Sequence, residues 1–271
     1  MLKADSVHFA YRPDRPVLAG VSAAFAPGRV TAIIGPNGAG KSTLLRLLAG
    51  LSKAGSGRVT LGGRDVVSIG PRELAGRIAY VPQRPTVMFA FTVGQVVRLG
   101  RYAVGHNDAA VSRALESAQA LDLIDEPFGT LSVGQQQRVT LARAIAQLDR
   151  TSLADHSDKS NTAGTALIAD EPVSAMDPKH AIASMALLRS VARRGVSVVV
   201  VLHDLTLASC WADEAVVLNG SGSVVAMGNT DDTLAPSILE RVFETRFVRT
   251  PLGGKSDAHA VTPVPALDDI L

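Results

Sequence analysis

Apolar positions along the chain fall into short unbroken runs and longer helical stripes. The runs at 30–34, 78–81, 166–169, 198–202 and 215–218 are brief and rich in Val, Ile, Leu and Ala. Continuous apolar runs of this length read as strands buried on both faces. Helical patterns lie between most of them, which predicts an α/β fold with a mostly parallel sheet. Residues 2–8 and 17–25 alternate apolar and polar, and predict antiparallel strands near the N-terminus. Between about 84 and 148 no strand is evident. There "VGQVVRLGRY", "DAAVSRALESAQALDL" and "VGQQQRVTLARAIAQL" read as successive helices, an α-helical subdomain inserted in the α/β core. The polar stretch 149–164 reads as a surface loop. The tail from 246 to 271, with prolines, glycines and little periodicity, is expected to be loosely ordered.

Between the first of these runs and a helical stripe of leucines lies "GPNGAGKST", Gly35, Pro36, Asn37, Gly38, Ala39, Gly40, Lys41, Ser42 and Thr43. Gly35, Gly40, Lys41 and Ser42 fit the spacing of a phosphate-binding loop in its strand–loop–helix setting. Glycines let the backbone close round a phosphate and turn its N–H groups inward. The following helix N-terminus adds partial positive charge. Lys41 supplies a full charge to the β- and γ-phosphates, and the Ser42 hydroxyl can ligate Mg²⁺. A plain Gly-rich turn would need none of these polar residues at these places.

The apolar run at 166–169 ends in Asp170 and Glu171. Alone, such a pair also suits a surface strand end. Beside a phosphate loop, Asp170 becomes a candidate Mg²⁺ ligand and Glu171 a candidate base for an attacking water.

Composition narrows the setting. The chain has 271 residues, 46% hydrophobic, with a formal net charge of +2. That near-neutral balance marks no nucleic-acid partner. One cysteine, Cys210, permits no internal disulfide and suits a reducing compartment. The N-terminal stretch has Lys, Asp and His where a signal peptide needs an apolar core. No apolar run approaches the roughly 18 residues of a membrane span. A cytoplasmic chain that docks on a membrane protein is the expectation.

"GPNGAGKST", "LSVGQQQR" and "LIADEP", in that order, resemble the nucleotide-binding subunit of ABC transporters over residues 1 to about 245. The resemblance implies a RecA-like P-loop NTPase core with ATP and Mg²⁺ as ligands. Tyr11 resembles the aromatic that stacks on adenine. Gln83 in "VPQ" resembles the glutamine that senses Mg²⁺ and the attacking water. Ser132, Gly134 and Gln135 resemble the signature that completes the ATP site of the opposite subunit. Asp177 in "SAMD" resembles the loop that crosses the dimer interface, and His203 in "VLHD" the switch histidine on the γ-phosphate. Each of these, taken singly, also suits an ordinary surface or core position. The resemblance further implies a head-to-tail homodimer, two transmembrane permease subunits docked near residues 85–101, and, indirectly, a periplasmic substrate-binding protein. The ATPase would then lie peripherally on the cytoplasmic face of the inner membrane.

One residue departs from the pattern. Val133 stands where the signature usually has glycine. A left-handed backbone there would be disturbed by the branched Cβ. A helix start would tolerate it, and that is the expectation. "FTVGQVVRLGR" and "VLHDLTLA" resemble the branch that imports iron chelates and cobalamin. The long polar 149–164 connection resembles haem importers, which ranks haem before ferric siderophore and cobalamin. A soluble ABC ATPase of translation or DNA repair, usually with two cassettes or a coiled-coil insertion, and an exporter ATPase are the rival readings.

Overall fold

The computed structural model describes residues 1–85, 90–149, 164–253 and 258–264. The chain opens with two long strands, β1 (Leu2–Arg12) and β2 (Arg15–Phe25), followed by β3 (Val30–Ile34) and α1 (Lys41–Leu48). Next come β4 (Ser56–Leu61), β5 (Arg64–Asp65), α2 (Pro71–Ala75) and β6 (Ile78–Val81). Three helices follow, α3 (Val93–Gly100), α4 (Asp108–Ser117) and α5 (Val133–Leu148). The core resumes with β7 (Ala166–Asp170), α6 (Pro178–Ala192), β8 (Ser197–Val201), α7 (Leu205–Trp211) and β9 (Glu214–Leu218). The C-terminal part holds β10 (Val224–Asn229), α8 (Thr230–Thr233), α9 (Pro236–Phe243), β11 (Arg246–Pro251) and β12 (His259–Val264).

The central sheet has the order β10-β9-β3-β8-β7-β6, and only β10 runs antiparallel to its neighbour. Its inner strands β9, β3, β8 and β7 are almost wholly buried and mostly apolar because both faces are covered. The pleat sorts their residues by parity. Val30, Ala32, Ile34, Leu167, Ala169, Val198 and Val200 face the helices α3 to α7. Ile33, Ile168, Val199, Val201 and Val216 face α1 and the antiparallel sheet β2-β1-β4-β5. α1 is therefore wedged between two sheets, with Leu44, Leu45, Leu47 and Leu48 all buried.

The inserted subdomain is helical as expected. α3 and α5 start with capping boxes, Thr92 with Gln95 and Ser132 with Gln135. The polar connection expected at 149–164 falls, but for its two ends, outside the described residues.

The C-terminal tail does not match its expectation. β11 and β12 pair as an antiparallel hairpin in register from Arg246↔Val264 to Pro251↔His259. Phe247 and Val261 are buried in the same core as α7 and α9. Val261 N donates to Thr206 Oγ1 at 3.1 Å, which pins β12 to α7. Strand alternation is short here and the prolines sit in an edge ladder, so the sequence pattern is weak. If the hairpin belongs to the fold, Phe247→Ala should cost about 3 kcal/mol. At roughly 2–4 °C per kcal/mol for a chain of this size, the thermal midpoint should fall by roughly 6–12 °C, read by circular dichroism. An unchanged midpoint would mean the hairpin adds nothing to stability.

Candidate active site

The strands β3, β8, β7 and β6 lie side by side and parallel, so their C-terminal ends share one edge. Each chain segment leaving that edge carries a predicted site residue. β3 leads into the 35–43 loop, β6 to Gln83, β7 ends at Asp170 and Glu171, and β8 leads to His203. Residues 37–43 line one cleft of about 410 Å³ together with Val17, Gln83, Glu171 and His203.

Two glycines explain the loop's shape. Gly40 sits at φ 86, and a Cβ there would lie 2.9 Å from the Val17 carbonyl oxygen. A Cβ on Gly35 would lie 2.6 Å from the Leu218 carbonyl oxygen. The loop is thus pressed against β2 on one side and β9 on the other. Lys41, only 7% exposed, folds back over the loop. Its Nζ donates to the carbonyl oxygens of Gly35 at 2.7 Å and Pro36 at 2.9 Å. Burial pushes the Lys41 pKa down, opposed by the negative charges of Glu171 and Asp170.

Asp170 is buried, and burial pushes its pKa up. The Ser42 hydroxyl bonded to it works against that shift, and the neighbouring Glu171 adds to it. Asp170 Oδ1 is buried with no hydrogen-bond partner. A hard divalent cation fits this place, which offers one carboxylate and one hydroxyl oxygen. Glu171 adopts φ 48, a left-handed backbone uncommon for a non-glycine residue. Its Oε1 lies 2.5 Å from His203 Nε2. The Glu171 side chain is mostly covered, whereas His203 is about half exposed. Gln83 is exposed at the cleft rim. Tyr11 lies at the end of β1, 65% exposed, with its hydroxyl 3.3 Å from Thr43 Oγ1. Its ring meets that of Phe9 in a T-shaped contact, centroids 4.9 Å apart.

Ser132, Gly134, Gln135 and Asp177 come together elsewhere. They line a second cleft of about 400 Å³ with Arg138, Ala175, Met176 and His180. No residue lines both clefts. Ser132 accepts from Gln135 N, and Gln135 Oε1 accepts from Ser132 N at 2.9 Å. Val133 is the first residue of α5 and is 55% exposed. Its backbone is helical, so no left-handed residue is required and the branched side chain is tolerated. Asp177 caps α6 through His180 N and accepts from His180 Nδ1 at 2.6 Å. That side-chain bond holds the Asp177 carboxyl below its usual pKa.

Sequence reading passed over Gln137. It is 3% exposed on α5 and its amide reaches Glu171 O, Ser174 Oγ and Ala175 N. The signal was available. Gln137 shares a helical face with Leu141 and Ala144, and a glutamine within an apolar stripe needs partners.

Comparisons with known proteins give the family. A family model described as "ABC transporter" matches residues 18–158. The hemin import ATP-binding protein HmuV of Rhizobium meliloti (strain 1021) is 38% identical over 256 residues, covering 93% of this chain and 94% of its own. The protein of the same name from Pseudomonas fluorescens (strain Pf0-1) is 40% identical over 247 residues, covering 90% and 92%. Among solved structures, the dimeric post-hydrolysis state of the ATP-binding cassette MJ0796 bound to ADP and Pi superposes with a TM-score of 0.71. It is 25% identical and covers 85% of this chain and 99% of its own.

The burial of Asp170 has a measurable consequence. A folded-state pKa above the unfolded value means that the charged form opposes folding as pH rises through that pKa. Asp170→Asn removes the charge and keeps the shape. Without nucleotide or divalent cation, its thermal midpoint should exceed that of the unmodified chain at pH 7–8. The difference should shrink toward pH 4, where Asp170 itself takes up a proton. A lower midpoint for Asp170→Asn at pH 7–8 would show that attraction to Lys41 outweighs desolvation.

Proposed function

The chain belongs to the ABC transporter family as an ATP-hydrolysing subunit, and we propose that it powers import of haem through a membrane permease. The observation that carries the mechanism is the separation of the two clefts. The phosphate loop with Glu171 lies in one, and the signature with Asp177 in the other. Neither alone encloses an ATP. Two copies related by a twofold axis set the Ser132 surface of each over the Lys41 loop of its mate, with an ATP in each joint site. A closed dimer bound by ligand and an open one without it form a two-state switch.

Within each joint site the roles follow from the residues. Lys41 leaves the Gly35 and Pro36 carbonyls for the β- and γ-phosphates. The N–H groups of the 35–43 loop and the α1 N-terminus hold the same oxygens. Tyr11, 65% exposed, offers its ring to the adenine. Asp170 and Ser42 would hold Mg²⁺, with Gln83 at the cleft rim as a further candidate ligand. When bound, Mg²⁺ neutralises charge on the phosphates. Glu171 takes a proton from the attacking water, and His203 turns between Glu171 and the γ-phosphate.

The partner surface lies on another face. Leu51, Ile69, Pro71, Leu74, Tyr80 and Arg143 line a groove of about 690 Å³ between the core and the helical subdomain. Burial pushes the Arg143 pKa down, and no acidic neighbour among the described residues offsets it. An apolar permease segment carrying a carboxylate suits this groove. The expected docking stretch 85–101 belongs to this subdomain, although residues 86–89 lie outside the described residues. No described helix is long and apolar enough to cross a membrane, in keeping with a peripheral subunit.

The haem assignment rests on the hemin import relatives named above. In liposomes holding the cognate permease and binding protein, haem should stimulate ATP hydrolysis and move to the ATPase side. Stimulation by a ferric siderophore or cobalamin alone would replace haem as the cargo, and outward transport would end the import reading. In the same assay Arg143→Met should keep basal hydrolysis by the free chain and lose most of the haem-stimulated rate. Full stimulation would move the docking site off this groove.

The catalytic roles are tested by two variants. Glu171→Gln keeps shape but cannot accept the proton, so turnover should fall about 10²–10⁴-fold, about 2.7–5.4 kcal/mol of barrier. ATP binding should survive, and the variant should elute with Mg·ATP as a dimer on size exclusion. Lys41→Ala should neither bind ATP nor dimerise. Near-normal turnover by Glu171→Gln would move the base elsewhere, with His203 next in line.

A further inference from the structure

The Glu171 backbone is held from an unexpected direction. Gln137 stands on α5, the helix that Ser132 caps, and is 3% exposed. Its Nε2 donates to Glu171 O at 3.4 Å and to Ser174 Oγ at 3.3 Å. Its Oε1 accepts from Ala175 N at 3.2 Å. The Ser174 hydroxyl in turn donates to Glu171 O at 3.1 Å. One amide therefore closes a ring of bonds around the turn that carries the candidate base. The turn has reason to need holding, since Glu171 sits at φ 48. Strained backbone persists where the surroundings over-determine it.

The bond set also explains the residue type. Only a primary amide at this length presents a donor pair and an acceptor together. A carboxylate in its place would meet the Glu171 carbonyl with no proton to offer. A thioether or alkyl group would leave the Ala175 N–H and the Glu171 carbonyl with one partner fewer in a buried place. The helix and the turn approach closely beside this ring. A Cβ on Gly134 would lie 2.8 Å from the Ala175 carbonyl oxygen, so the two backbones are packed directly against each other there.

We propose that Gln137 is a positioning residue for hydrolysis: it fixes the Glu171 turn to the signature helix, so that the position of that helix sets the aim of the Glu171 carboxylate. A second copy docking on the Ser132 surface then acts on the base within the same chain, besides completing the site across the interface. This proposal rests on Glu171 being the base.

Gln137→Met keeps length and removes all three bonds. In the full chain with Mg·ATP, kcat should fall roughly 10–100-fold, the scale of a small misplacement of a catalytic group. KM for ATP should stay within about twofold, because no phosphate contact is touched. Gln137→Glu should lose as much. Ser174→Ala breaks the same ring, so the double variant with Gln137→Met should lose little more than the worse single variant. A fall in kcat matched by an equal fall in folded fraction, measured by nucleotide binding, would mean a structural role only and overturn the proposal. Normal kcat in Gln137→Met or Gln137→Glu, alongside an inactive Glu171→Gln, would overturn it while leaving the base in place. An active Glu171→Gln would remove the base assignment and this proposal with it.

Discussion

The parallel register of four neighbouring strands governs the site. Ile33 pairs with Val201, Asp170 with Val201 and Val81 with Ala169, so β3, β8, β7 and β6 end almost level. In open α/β sheets, ligands bind in the crevice beyond the carboxyl ends of the strands. Here that crevice receives a phosphate loop, two acids, a histidine and a glutamine within two residues of the strand ends. A one-residue slip would turn every strand side chain to the other face. Burial on both faces forbids such a slip, because Val199 and Val200 belong to different cores. The packing that stabilises the sheet is also what aligns the chemistry.

That alignment brings charge into a partly closed space, and the chain answers with internal partners. Lys41 is met by two carbonyls, Glu171 by His203, and Ser132 by Gln135. Asp170 Oδ1 is left without one. On the proposed reading, each partner is a placeholder that a phosphate, a water or a second chain displaces. Exchanging one set of bonds for another costs far less than desolvating a bare charge. The pocket is therefore held ready without being locked, and the unmatched carboxylate oxygen marks where an incoming cation gains most.

Much of this was legible in the sequence because its signals are local. The strand runs, the 35–43 loop and the acids at the end of β7 are each contained within about ten residues. The capping of α5 by Ser132 and Gln135 was likewise readable from spacing, and it explains why Val133 is tolerated as a helix start. Long-range constraints were less visible. β4 pairs with β1 across more than forty intervening residues, and nothing local announces that partner. The C-terminal hairpin carries prolines and glycine, and it is ordered by Phe247, Val261 and the Thr206 hydroxyl rather than by its own propensity. Gln137 shows the same limit. Its helical phase placed it in an apolar stripe, yet only the fold shows that its partners lie 34–38 residues further on.

Gln137 and His203 approach Glu171 from opposite parts of the chain. His203 follows β8 in the core and meets the carboxylate. Gln137 stands on the helical subdomain and meets the backbone. The base is thus held at two points by two bodies that were assembled separately along the sequence. A base gripped only by the core would be aimed whether or not a second copy had docked, and ATP would be spent without coupling. On the proposed reading, a base held partly by the helix that Ser132 caps is aimed only when that helix is seated. The two clefts, separate on one chain, then make the assembled dimer the condition for turnover.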